Sequence, residues 1–171
     1  MRLRQINNLP ENEVLDRLDH LYEHTPSIVE LALQWRPFGN AEAFHQVLCN
    51  QVELLSDEEK LALIRAHPDL VGRAALSGSL TPSSNAEQRE AGLGRDDLND
   101  TDKTKFAEFN AAYAARFDFP FVICVRENRK RAILKGFAER LNNDRDKEIQ
   151  IAIDEINKIA WYRLLDVIES S

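Results

Sequence analysis

Only one stretch of this 171-residue chain reads as a buried strand: Phe119-Pro120-Phe121-Val122-Ile123-Cys124-Val125. Its β-branched and aromatic residues, with Pro120 among them, predict an extended and buried backbone. No second segment of that kind exists to pair with it, so the sequence argues against a sheet. Elsewhere the apolar residues recur at three- and four-residue spacing, which makes helices the builders of the core. The unpaired stretch then becomes a buried connection crossing a helical core. Its amides and carbonyls lack ladder partners, and a bound polar ligand would satisfy them.

Start and stop signals divide the rest of the chain. Leu9-Pro10-Glu11 opens a helix carrying Val14, Leu15, Leu18, Leu21 and Tyr22. Thr25 as cap and Pro26 as first helical residue open the next, with Ile28, Val29, Leu31, Ala32 and Trp35, until Pro37-Phe38-Gly39 breaks it. Asn40 caps a third, with Phe44, Val47, Leu48 and Leu55 inward. Ser56-Asp57-Glu58-Glu59 is a capping box, and Pro68 disfavours helical backbone at His67, so that helix stops there. Segment 72–83 reads as irregular. Ser84-x-x-Glu87 has the form of a second capping box, opening a short helix that ends at Gly92 or Gly94. Phe106, Phe109, Tyr113 and Phe117 mark a helix over 102–117. Ile133, Leu134, Phe137 and Leu141 mark one near 129–142, and Ile149, Ile153, Ile156, Ala160, Leu164 and Val167 one over 144–169. The expected fold is all-α: one domain over residues 1–171, an orthogonal bundle of about seven to nine helices, with the extended segment 119–125 buried inside it.

Charge narrows the function. A net charge of −7 gives no basic face for nucleic-acid phosphates and argues against anionic membranes. An anionic substrate would need a local cation. No apolar run approaches the ~20 residues that span a bilayer, and Met1 to Asn7 lack the apolar run of a secretory leader, which together predict a cytoplasmic protein. Cys49 and Cys124 have no zinc-like spacing and are expected as reduced thiols. His20 and His24 stand four apart but lack a third ligand, and His45 belongs to no motif. Nucleotide- and zinc-binding signatures are absent from the sequence.

Three places carry residues with chemistry. His67 sits at a helix end, where it either serves the helix terminus or moves protons near neutral pH, its direction fixed by Pro68. Ser84 and Glu87 either cap a helix or, with the Gln88 amide beside them, form a polar ligand face at a helix start. Arg163 falls seven positions after Ile156, along an apolar stripe. There it either snorkels to an edge or pairs with a buried anion, a ligand carboxylate or Glu87.

Taken together, five blocks resemble one family. They are Ala66-His67-Pro68-Asp69-Leu70, Ser84-x-x-Glu87-Gln88-x-x-Ala91-Gly92-Leu93, Asn110-x-x-Tyr113, Phe117-x-Phe119-Pro120-Phe121-Val122-Ile123, and Ile156-x-x-Ile159-Ala160-x-x-Arg163-Leu164. In this order they look like the OHCU decarboxylases, which act on 2-oxo-4-hydroxy-4-carboxy-5-ureidoimidazoline, a late intermediate of urate breakdown. Glu23-His24-Thr25-Pro26 and Arg36-Pro37-Phe38 also fit. The resemblance implies an all-helical homodimer that converts OHCU to (S)-allantoin and carbon dioxide without a cofactor or metal. It also implies a functional link to hydroxyisourate hydrolase and a urate oxidase. His67 would be the proton donor and Glu87 would orient the substrate. Pro68, Ser84 and Gln88, the backbone of Phe119, Pro120, Phe121, Val122 and Ile123, and the Arg163 guanidinium would bind it. The chain departs from the family at Asp118 and Glu127-Asn128, where glycine is usual, and at Ser27, where an aromatic is common. Asp118 and Asn128 suit a left-handed turn better than most residues.

Two rival readings fit the same residues: a non-catalytic helical interaction module, or a lyase or hydrolase acting on another ureido acid. An arginine on a buried stripe favours a ligand site over a pure module.

Overall fold

The helical periodicity is realised as ten helices, with no strand among the described residues, 1–94 and 96–169 of the computed structural model. In chain order these are α1 (Leu3–Asn8), α2 (Glu11–Leu18), α3 (Ser27–Leu33), α4 (Ala41–Glu53), α5 (Asp57–Arg65), α6 (Arg73–Ser77), α7 (Pro82–Glu90), α8 (Asp100–Phe117), α9 (Lys130–Arg140) and α10 (Arg145–Glu169). The count exceeds seven to nine because of α1 and α6. Ile6 is the one buried residue that α1 carries, and α6 carries none. Helices of fewer than two turns show no apolar period, so the sequence pattern misses them.

Most boundary signals act as expected. Asn40 Oδ1 accepts from the Ala43 amide at 2.7 Å at the start of α4. Ser56 and Glu59 form the reciprocal capping box of α5, at 2.8 and 3.2 Å. Thr25 behaves differently: its hydroxyl donates to the Glu23 carbonyl at 2.8 Å instead of capping α3. Leu31 and Trp35, counted with the apolar residues of α3, stand exposed.

Contacts divide the chain into two compact units. The first takes Met1–Leu63 and the chain from Asn157 onward, so α10 enters it for its C-terminal half. Its core holds Ile6, Leu18, Tyr22, Ile28, Phe44 and Leu48, with Ala160 and Leu164 from α10. The second unit, Ile64–Ile156, is built on aromatic packing. Phe121 stacks on Phe137 with centroids 3.7 Å apart, and Tyr113 meets Phe121 edge-on at 5.3 Å.

Residues 119–125 connect α8 to α9 without regular structure, with Phe119, Phe121, Val122, Cys124 and Val125 buried. Asp118 precedes them in the left-handed region, φ 60° and ψ 32°, a conformation that aspartate tolerates better than most residues. Its carboxylate also meets Arg65 Nη2 at 2.9 Å. The turn at Glu127-Asn128 needs no left-handed residue: both amides bond back, to the Cys124 and Val125 carbonyls, at 3.2 and 3.3 Å. Positive φ among non-glycine residues occurs at His24, Val71 and Asp118, and Asn128 is not among them. Ser27 is exposed, so no core position lacks an aromatic there.

No helix of the described residues is long and apolar enough to cross a membrane. Cys49 and Cys124 are both thiols. Burial pushes the Cys124 thiol up to about 11, whereas Cys49 is half-buried on α4. The expected result with iodoacetamide on the native protein at pH 7.5 is alkylation of Cys49, with Cys124 modified only after denaturation. Peptide mapping checks the order, and equal labelling of both would contradict the burial of Cys124.

Candidate active site

The second unit holds His67, Ser84, Glu87 and Gln88, all buried. The chain leaves α5 after Arg65, and the His67 amide closes a last turn on the Ile64 carbonyl at 3.1 Å. Pro68 then directs it into a tight turn. Val71 adopts φ 52°, a left-handed conformation that a β-branched side chain resists. At Gly72 an added Cβ would lie 2.6 Å from the Asp69 Cβ, so the turn closes only on glycine. Two side chains hold this strained turn. Gln88 Oε1 accepts from the Val71 amide at 3.1 Å, and Asn110 Nδ2 donates to the Leu70 carbonyl at 2.8 Å. The His67 turn is therefore fixed from α7 and α8 together.

Helix α7 begins three residues earlier than its sequence signal implied. Thr81 is the cap, accepting from the Ser84 amide at 3.3 Å through its hydroxyl, and Pro82 follows in the first turn. Ser84-x-x-Glu87 is thus not a capping box. Thr81-Pro82 supplies the stronger start, because proline is pre-set for the first helical position. Ser84, Glu87 and Gln88 then lie at i, i+3 and i+4 inside one helix, which places them on one face. It is the face whose Gln88 reaches the His67 turn. The helix ends where Gly92, at φ 76°, allows the Leu93 amide to bond the Gln88 carbonyl at 2.8 Å.

This correction has a measurable consequence. Thr81→Ala should lower thermal stability by about 1 kcal/mol, as for loss of a helix cap, with catalytic constants little changed. Ser84→Ala should show the reverse, a loss of activity on a fold of nearly unchanged stability. The opposite pattern would restore the capping reading of Ser84.

The extended segment was expected to leave its backbone for a ligand. Side chains take part of it instead. Arg140 Nη1 donates to the Val122 carbonyl at 2.6 Å, the Cys124 amide donates to Glu155 Oε2 at 2.7 Å, and Asn128 Nδ2 donates to the Cys124 carbonyl at 2.9 Å. The Ile123 amide and carbonyl have no hydrogen-bond partner among the described residues. Arg140 is itself fixed: its Nε meets Glu148 Oε2 at 2.9 Å, and its guanidinium lies 4.2 Å from the Phe121 ring centroid. Tyr113 donates to the same carboxylate oxygen, and Asn143 Nδ2 donates to Glu148 Oε1 at 2.8 Å. Burial, then the bond to Glu148, holds the Tyr113 phenol above its ordinary pKa, so it remains a donor.

Sequence reasoning missed Arg140, Glu148 and Glu155. The signal existed for two of them: Arg140 lies three after Phe137 and seven after Ile133, and Glu148 lies four before Ala152 and eight before Ile156. Both sit on buried stripes, as Arg163 does.

In the first unit, Arg163 is 2% exposed, which removes snorkelling as its explanation. Its Nη1 meets Glu23 Oε2 at 3.0 Å and donates to the His20 carbonyl at 2.9 Å. Glu23 is equally buried, so the partner anion comes from the Glu23-His24-Thr25-Pro26 stretch. The same unit places His45 Nε2 against the Asn157 carbonyl at 2.8 Å and near Cys49, and burial lowers the His45 pKa.

Comparison with known proteins gives one answer. The chain is 37% identical to a 2-oxo-4-hydroxy-4-carboxy-5-ureidoimidazoline decarboxylase of Amia calva, over 99% of this chain and 95% of that one. It is 33% identical to the uric acid degradation bifunctional protein of Bacillus sp. (strain TB-90), over 98% of this chain and 32% of that longer protein. The fold matches a crystal structure of (S)-allantoin synthase with a TM-score of 0.78 at 24% identity, covering 98% of this chain and 54% of that chain, about half its length. The family model for OHCU decarboxylase matches residues 7–165, which takes in the His67 turn, the buried face of α7, the extended segment and Arg163, and so the chain belongs to the OHCU decarboxylase family.

Proposed function

We propose that this chain decarboxylates OHCU to (S)-allantoin, with His67 and Glu87 as its catalytic residues. One observation carries the site: the strained turn after His67 is bonded by Gln88, on the same buried α7 face as Ser84 and Glu87. A proton donor and an ordered set of acceptors and donors are thereby held on rigid elements, as catalysis by positioning requires.

The chemistry asks little else of the protein. When the carbon–carboxylate bond breaks, its electron pair forms a ring C=C bond and the ring C=N pair moves onto nitrogen. The substrate itself is the electron sink. The resulting enol passes its hydroxyl proton to that nitrogen as it becomes a carbonyl, and the ureido-bearing carbon takes one proton from a donor. His67, held in the fixed turn, is suited to deliver that proton to one face. Glu87, Ser84 and Gln88 orient the ring and ureido group, and Pro68 and the Phe119–Ile123 backbone line the site. Assembly as a homodimer, and operation beside the enzymes that supply OHCU from urate, belong to the same reading. The bifunctional relative, named for uric acid degradation, supports that pathway.

The test supplies OHCU in situ from urate with uricase and hydroxyisourate hydrolase, and follows its disappearance. Added protein should accelerate the loss well beyond the spontaneous rate, in proportion to its concentration, with stoichiometric release of carbon dioxide. Loss at the spontaneous rate would leave the interaction module as the better reading. Light scattering at twice the 19.6 kDa chain mass checks the dimer.

A further inference from the structure

The two peptide units on either side of Ile123 are each fixed from one end by a charged side chain. Arg140 bonds the carbonyl of the first, at Val122, and Glu155 bonds the amide of the second, at Cys124. Both peptides are trans, since Arg36–Pro37 is the cis bond among the described residues. In a planar trans peptide the N–H and C=O point in opposite directions. The Ile123 amide therefore points away from Arg140, and the Ile123 carbonyl points away from Glu155.

We propose that Arg140 and Glu155 are positioning residues that aim the Ile123 amide and carbonyl at the substrate, an inference that rests on the decarboxylase reading above. Neither Ile123 group has a hydrogen-bond partner among the described residues, although the segment is enclosed on most of its length. Each is also polarised by its partner. A cation on a peptide carbonyl strengthens the N–H at the other end as a donor, and a carboxylate on a peptide N–H strengthens the C=O as an acceptor. One residue thus presents a strengthened donor and a strengthened acceptor, the complement of an amide or ureido edge. OHCU carries such edges on its ring and on its ureido arm.

The rest of the network serves this aim. Glu148 and Tyr113 hold the Arg140 guanidinium, and the Phe121–Phe137 stack lies against it. The guanidinium can neither rotate nor withdraw, so the donor geometry at Ile123 is set before the substrate arrives. Preorganisation of this kind is what makes backbone amides effective in catalysis.

The test compares Arg140→Lys, Glu155→Leu and Glu155→Gln in the whole chain, with OHCU as substrate. Arg140→Lys keeps a cation for Glu148 but loses the guanidinium fork, and Glu155→Gln keeps a carbonyl acceptor for the Cys124 amide. Arg140→Lys and Glu155→Leu should lower kcat/KM by about 10- to 100-fold at wild-type helix content, as loss of outer supporting groups does. Glu155→Gln should stay within about twofold of wild type, because its side chain can still accept from the Cys124 amide. Amide exchange at Cys124 should quicken in Glu155→Leu and remain slow in Glu155→Gln. Folded Arg140→Lys and Glu155→Leu enzymes with wild-type kcat/KM would overturn the inference. So would a Glu155→Gln enzyme as impaired as Glu155→Leu. A wild-type protein inert towards OHCU would instead overturn the decarboxylase reading on which it rests.

Discussion

Replacing His67 by alanine should lower the catalysed rate by about 10²–10⁴-fold, the usual contribution of a positioned general acid, with the far-UV helical signal unchanged. The structural part of the position survives the substitution. The backbone bond from residue 67 to Ile64 does not involve the side chain, and the turn beyond it is held by Gln88 and Asn110. What disappears is the imidazole, the proton donor of the proposed reaction. Steady-state kinetics beside circular dichroism and a thermal melt separate the two roles. Parallel loss of helix and activity would show that His67 terminates a helix and does no more.

Breaking the Arg163–Glu23 pair should have the largest effect on stability. Arg163→Met leaves the Glu23 carboxylate buried without its guanidinium, and loss of one partner of a buried pair costs about 3–5 kcal/mol. The double variant Glu23→Leu/Arg163→Met removes both charges and should recover most of that loss, since apolar replacement of a buried pair is close to neutral. Glu23 is the group that keeps the guanidinium in place. A double variant as unstable as Arg163→Met would contradict the buried pair. Thermal denaturation of the same three proteins decides the matter.

Much of this molecule could be read from residue order alone, and the exceptions have physical causes. Long helices such as α8 and α10 declared themselves through sustained apolar spacing, and Asn40, Ser56 and Pro68 marked ends that the structure keeps. The short α1 and α6 are held by their surroundings and show no period. Ser84-x-x-Glu87 mimicked a capping box, because the same residue types serve caps and polar sites. Only the Thr81-Pro82 start shows that Ser84 is interior to α7. The partner of Arg163 was illegible because it lies 140 positions earlier in the chain, at Glu23. Arg140 and Glu148 were legible in principle, as charges on buried stripes, but their target was not. That target is the carbonyl of Val122, and a sequence does not show which backbone groups lack partners.

Stereochemistry tests the central claim most directly. OHCU decays to allantoin unaided, and a proton that arrives from solvent reaches either face. An enzyme that delivers it from a fixed His67 must produce one enantiomer. Circular dichroism of the allantoin formed from OHCU in the presence of this protein should therefore show a growing signal of the (S) form, absent from the reaction without protein and from the His67→Ala variant. Racemic allantoin, formed at the unassisted rate, would contradict the account.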